Sequence, residues 1–204
     1  KRKYTVQATA KHTRTIILVR HGQFDHKKRP GPLTELGREQ AVLVGKRLAA
    51  SHKINPIDAV HLSTMMRATE TANIILDQLP PEIPRSSDTM LEEGFPCPPT
   101  PVKEGDWKPK DHFFFTDGAR IEAAFRKYIH RASPKQKKDT IDVIVCHGYV
   151  IRYFVCRALQ IPPEAWVRIE ILNSSITVMV IHPDGDVKMR SVGDVGHLPD
   201  EKVT

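Results

Sequence analysis

Two β-branched apolar runs, each closing on a His-Gly pair, constrain this chain more than any other feature. Thr15–Arg20 reads TIILVR and is followed by His21 and Gly22; Thr140–Cys146 reads TIDVIVC and is followed by His147 and Gly148. Short runs of this kind are strands buried on both faces, as in a parallel sheet with helices above and below. Such strands end at the edge where α/β folds place their chemistry. His21 and His147 are therefore expected to meet at one edge of one sheet.

The rest of the pattern fits that layout. Thr34 is placed as the N-cap of a helix running to His52, with Ala41, Val44, Gly45, Leu48 and Ala49 at helical spacing. Ala59–Ser63 reads as a second strand, and Met65–Leu79 as a second helix with Met65, Ala68, Ala72, Ile75, Leu76 and Leu79 on one face. Asp117–Ala132 recovers the helical period and Val150–Leu159 is a short helix. Ile176–His182 and Val187–Val192 flank a Pro183-Asp184-Gly185-Asp186 turn as a hairpin. Strands alternating with helices and ending in a hairpin predict an α/β protein. The expected form is a single-domain three-layer α/β/α sandwich on a mainly parallel sheet with an antiparallel edge strand. Residues 1–14 read as an N-terminal extension and 15–204 as one folded domain. Residues 80–110, dense in proline (LPPEIP, FPCPPTP), read as an insertion without regular structure, of the kind that forms lids beside sites.

Composition removes several classes. With 204 residues the chain can bury a core without disulfides or metals to staple it. The three cysteines, Cys97, Cys146 and Cys156, lack the spacing of a zinc site or a disulfide framework and point to a reducing compartment. A net charge of +7 favours anionic partners, but the cations are dispersed. The longest basic run, Lys135–Lys138, includes Gln136, is followed by Asp139 and carries no aromatic residues, so it reads as a solvated loop and not as a nucleic-acid surface. No apolar run is long enough to span a bilayer, and the chain as given is expected to be soluble. It begins with Lys and not Met, as expected of a piece of a longer protein from which an anchor or targeting segment has been removed.

Arg67 follows the second strand at the first turn of a helix, where free backbone N–H groups suit an anion. With Arg20, His21, Gly22, then Ser63, Arg67, Ala68, Glu70 and Thr71, then His147 and Gly148 in view, the chain resembles the histidine phosphatase superfamily. The signature of that family is RHG, then S-x-x-x-R-A-x-E-T, then a late His-Gly pair. LEEGFP (Leu91–Pro96), DWKP (Asp106–Pro109), DGARIEAAFRKYIHRA (Asp117–Ala132), VIRYFVCRALQIPPEAW (Val150–Trp166) and GDVGHLP (Gly193–Pro199) narrow the resemblance to mitochondrial serine/threonine phosphatases of that family. The fold it implies is phosphoglycerate mutase-like, and residues 15–204 become the catalytic domain.

The resemblance implies a metal-independent phosphatase without cofactors, acting on phosphoserine or phosphothreonine in proteins, or on phosphohistidine in a partner, through a phosphohistidine on His21. Arg20, Arg67 and His147 bind the phosphate, guanidinium forks matching its oxygens and a protonated His147 adding a donor. The residues alone leave Glu92 and Glu93 open as the proton donor; the family pattern L-x-E-G selects Glu93. Where sugar-phosphate mutases of the family carry Asn six residues beyond the nucleophile this chain has Lys27, which argues against mutase activity. The acidic residues Glu82, Asp88, Glu92, Glu93, Glu104 and Asp106 of the insertion are expected to repel a second phosphate and to favour an open cleft for a phosphopeptide. A small-molecule phosphatase, or a mitochondrial signalling scaffold with secondary catalysis, are the alternatives. A homodimer or higher oligomer, and a membrane anchor in a segment absent here, are further implications of the resemblance.

Overall fold

The computed structural model describes residues 10–101 and 109–204. Its centre is the pair of strands β1 (Arg14–Arg20) and β4 (Thr140–Cys146), which run parallel in register from Arg14 opposite Thr140 to Arg20 opposite Cys146. On the far side of β4 lie β2 (Ala59–Ser63) and β3 (Arg85–Asp88), both parallel to it. On the far side of β1, β5 (Ile176–Ile181) and β6 (Val187–Asp194) form the antiparallel hairpin. The sheet order is β3-β2-β4-β1-β5-β6.

Alternation along the strands divides the core in two. Ile16, Leu18, Ile144 and Cys146 point to one face, where they meet α3 (Asp111–Tyr128) and α4 (Gly148–Ala158) through Ile121, Ala124, Val150 and Phe154. Ile17, Val19, Val143 and Val145 point to the other, against α1 (Glu35–His52) and α2 (Met66–Leu76) through Val44, Leu48, Ala72 and Ile75. A strand buried on both faces has no polar side to signal alternation, which is why these two read as continuous apolar runs. The three layers follow directly.

Thr34 caps α1, its side chain accepting from Gly37 N–H at 3.0 Å. Several boundaries differ from the sequence reading. α2 ends at Leu76, three residues before Leu79. α3 starts at Asp111, six residues before Asp117, and ends at Tyr128. The segment read as wholly irregular contains β3 and a 3₁₀ turn at Thr89–Leu91. β3, with the sequence RSSD, has no apolar alternation. Backbone pairing to β2 makes it a strand, together with Asp88, which accepts from Tyr128 Oη at 2.6 Å and Lys127 Nζ at 2.7 Å. A second 3₁₀ segment, Pro163–Arg168, buries Trp166.

The loop after β1 lies directly on the first turn of α1. A Cβ on Gly22 would sit 2.3 Å from the Gly37 carbonyl oxygen, and one on Gly37 would sit 1.9 Å from that of Gln23. Both obstructions are backbone and cannot swing aside. Gly37→Ala is expected to destabilise the protein by about 1–3 kcal/mol through overpacking. The measurement is a fall in urea midpoint at constant slope, and an unchanged midpoint would contradict the packing described.

Candidate active site

Because β1 and β4 end opposite each other, the next residue of each strand is its neighbour's neighbour. His21 and His147 are both buried, with ring centroids 5.1 Å apart, and His21 N–H donates to the Cys146 carbonyl at 3.0 Å. β2 ends beside them, and Ser63 Oγ lies 2.8 Å from His147 Nε2. α2 then starts immediately, which brings Arg67 in its first turn to the same point: Arg67 Nε donates to His21 Nε2 at 3.0 Å. The motif residues Thr71 and Glu70 secure the loop. Thr71 Oγ1 accepts from Gly22 N–H at 3.0 Å, and Glu70 Oε2 accepts from Leu33 N–H at 3.0 Å.

The tautomer of His21 follows from its partners. Nδ1 lies 2.8 Å from the Gly22 carbonyl, which can only accept, so Nδ1 carries the hydrogen and Nε2 the lone pair. Burial, then the charges of Arg67 and Arg20, hold this imidazole well below its ordinary pKa. His147 is likewise held neutral by burial first, then by His21, Arg67 and Arg20. The backbone carbonyl of His21 is fixed by Asn173 Nδ2 at 3.1 Å and Ser174 N–H at 3.2 Å.

Arg20 donates through Nη1 to the Ile171 carbonyl at 2.6 Å, while its Nε and His147 Nδ1 are buried without a protein partner. A buried Arg20 Nε–H of this sort is costly unless something accepts from it. An oxyanion beside the two arginines would do so. Burial lowers the pKa of both Arg20 and Arg67, and a guanidinium in a protein keeps its charge.

Glu93 reaches the same place from the loop after the 3₁₀ turn, its Oε1 accepting from Tyr149 N–H at 3.2 Å. Burial pushes its carboxyl up to about 7 against the opposing pull of Arg67 and Arg20. Such a group can hold or release a proton near neutral pH. Glu92 instead accepts from Thr64 Oγ1, so the ambiguity between the adjacent carboxylates is decided by which way the loop faces. Of the other acids of the insertion, Asp88 is tied to Lys127 and Tyr128, Glu82 is exposed, and Glu104 and Asp106 lie outside the described residues, as does most of DWKP.

Several residues at the site had been given no role from sequence. Phe24 stacks edge-on to His21 at 5.3 Å and under the Arg67 guanidinium at 4.6 Å. Asn173 is separated from the motifs in the chain, and Arg120, although inside the DGARIEAAFRKYIHRA stretch, is given no role by any spacing rule. Lys27, at the mutase-asparagine position, is exposed. Among the described residues no group of three or more His, Cys, Asp and Glu is placed to hold a metal ion.

A family profile described as the histidine phosphatase superfamily, branch 1, matches residues 16–94 and 115–194. The chain belongs to the histidine phosphatase superfamily. Among curated relatives it is 53% identical over 204 residues to a Caenorhabditis briggsae protein named serine/threonine-protein phosphatase Pgam5, mitochondrial, covering all of this chain and 71% of the relative. To the Xenopus laevis protein of the same name it is 50% identical over 198 residues, covering 95% and 70%. Among solved structures, a phosphoglycerate mutase from Plasmodium falciparum superposes with a TM-score of 0.66 at 34% identity, covering 95% of this chain and 99% of that one. The histidine phosphatase fold is thereby independently matched, with its six-stranded, mainly parallel sheet.

The raised Glu93 pKa has a stability consequence. The unfolded chain releases this proton near pH 4.5 and the folded chain near 7, so the native state loses stability as pH rises between those values and no further above them. Glu93→Gln, which keeps the shape and cannot ionise, is expected to match wild type at pH 4 and to exceed it in stability at pH 8. Urea titrations across that range test this; a constant difference would contradict it.

Proposed function

We propose that the chain is a protein phosphatase that hydrolyses phosphoserine or phosphothreonine, or phosphohistidine in a partner protein, through a phosphohistidine on His21. The observation that carries the mechanism is the neutral His21 ring, its Nδ1–H committed to Gly22 and its Nε2 lone pair facing Arg67. The identity near 50% to relatives named serine/threonine-protein phosphatases supports the substrate class.

A phosphomonoester brings about −1.5 to −2 charges at pH 7. Its oxygens accept from Arg20, Arg67 and His147, and Arg67 leaves His21 Nε2 as it turns to them. The Nε2 lone pair then forms a bond to phosphorus while the bond to the substrate oxygen breaks, and the Glu93 carboxyl gives its proton to that oxygen, releasing the serine or threonine hydroxyl. Glu93, now a carboxylate, takes a proton from water as the water oxygen attacks phosphorus. The P–N bond breaks, and inorganic phosphate and neutral His21 are restored. One carboxyl group serves both half-reactions because each leaves it in the state the other needs.

Beside Arg67 runs an open cleft of ≈ 640 Å³ whose lining includes Phe24, Lys28, Arg29, Met65, Met66 and Glu92. An open groove of mixed apolar and charged character suits a polypeptide flanking the phosphorylated residue better than it suits a closed sugar-phosphate pocket. The second reading, a small-molecule phosphatase, draws on the likeness to a structure titled phosphoglycerate mutase. The mitochondrial location in the relatives' names comes to this chain as part of the same proposal. Homodimer or higher assembly, and attachment to a membrane through a segment outside this sequence, rest on family resemblance. Among the described residues no helix is long and apolar enough to cross a membrane.

Two experiments test the proposal. Quenching turnover of a labelled phosphothreonine peptide should trap label that survives base, is lost in acid and maps to His21, with none on His21→Ala; an acid-stable adduct would overturn the mechanism. In a substrate panel, kcat/KM for phosphopeptides should exceed that for sugar bisphosphates by at least about tenfold, corresponding to ~1.4 kcal/mol. The reverse ranking would favour the small-molecule reading.

A further inference from the structure

Glu93 sits in a stretch, Glu92–Pro96, that belongs to no helix or strand, so nothing in its own backbone fixes where the carboxyl points. The carboxyl itself accepts from Tyr149 N–H at 3.2 Å, and the main chain that carries it is held by a side chain from another element. Arg120, on α3, donates through Nη1 to the Met90 and Glu92 carbonyls at 3.1 and 2.6 Å and through Nη2 to the Glu93 carbonyl at 3.1 Å. Asp117, one turn earlier, braces it: Oδ1 accepts from Arg120 Nη2 at 3.2 Å, and Oδ2 accepts from Phe95 N–H at 3.1 Å.

Loop and helix are also in backbone contact. A Cβ on Gly94 would lie 2.5 Å from Asp117 Cγ and 2.6 Å from Arg120 Nη2, and one on Gly118 would lie 2.5 Å from the Pro96 carbonyl oxygen. α3 is itself immobilised by buried Ile121, Ala124 and Tyr128, and by Glu122, which accepts from Tyr153 Oη at 2.8 Å and Arg157 Nε at 3.1 Å on α4. The guanidinium therefore ties the main chain on both sides of Glu93 to a rigid helix, and it is occupied by carbonyls and not turned to the phosphate.

We propose that Arg120, braced by Asp117, is the positioning residue that holds the Glu93 carboxyl against the leaving oxygen. This rests on Glu93 being the proton donor of the reading above. A planar fork that meets three carbonyls cannot be replaced by a point ammonium without losing the spread of contacts. A displacement of order 1 Å in a proton donor is enough to cost about 10²-fold.

The expected signature is dependence on the leaving group. A nitrophenolate departs without a proton, whereas an alkoxide needs one, so misplacing the donor slows only the second kind of substrate. Phosphoenzyme formation is measured in single turnover on p-nitrophenyl phosphate, phenyl phosphate and a phosphothreonine peptide. Arg120→Gln should lose about 10- to 10²-fold on the peptide yet stay within about threefold on p-nitrophenyl phosphate. Arg120→Lys should recover part of the loss, and Asp117→Asn, which keeps the guanidinium and its carbonyl contacts, should show the same trend more weakly. Equal losses across the series, or no loss, would overturn the proposal, with Asp117→Asn deciding if Arg120→Gln fails to fold. Glu93→Gln in the same assay separates the two claims. A steep Glu93→Gln profile beside a flat Arg120→Gln profile sinks the clamp alone. A flat Glu93→Gln profile sinks the proton-donor assignment and the clamp with it.

Discussion

The site depends on the parallel register of β1 with β4. With Arg20 opposite Cys146, both strands give out at the same level, and the two histidines that follow have nowhere to go but against each other. A slip of one residue would turn Ile16 and Leu18 to the face now taken by Ile17 and Val19, and would exchange His21 with a neighbour of opposite orientation. The apolar cores on the two faces thus hold the geometry of this edge: burying Ile16, Leu18, Ile144 and Cys146 on one side and Ile17, Val19, Val143 and Val145 on the other sets the register that pairs the imidazoles.

Electrostatics at that edge are arranged around something the protein itself does not provide. Two guanidinium groups and two imidazoles crowd together, and burial with mutual repulsion keeps both rings neutral. Arg20 Nε–H and His147 Nδ1 are buried without a protein partner. In the proposed reaction a phosphate dianion would neutralise the arginines and accept from Arg20 Nε–H. The same field acts on Glu93 in the opposite sense. Burial raises its pKa and the arginines pull it down, and the balance near neutrality lets it change protonation state between steps.

Much of this was legible in the residues. The apolar runs before His21 and His147 announced buried strands, Thr34 announced the start of α1, and Arg67 just inside α2 followed from its place after β2. β3 was not legible, because RSSD has neither alternation nor β-branching and becomes a strand only by hydrogen-bonding to β2. The early start of α3 was missed because a helix there lies beyond the window in which apolar positions recur at helical spacing. Asn173 and Arg120 escaped for another reason: each reaches the site from a distant part of the chain and acts on backbone carbonyls, and any residue type can supply a carbonyl, so no side-chain pattern marks the partner.

By itself the sequence determined the alternation of buried strands and amphipathic helices, and the chemical inventory of imidazoles, guanidinium groups and a carboxyl, because hydrophobic period and side-chain identity are local properties. Tertiary structure alone decided that Glu92 turns to Thr64 while Glu93 meets Tyr149 N–H, that His21 carries its proton on Nδ1, and that Arg120 anchors the loop carrying Glu93. Those outcomes depend on distances between groups far apart in the chain, and such distances exist only once the two cores have closed around the sheet.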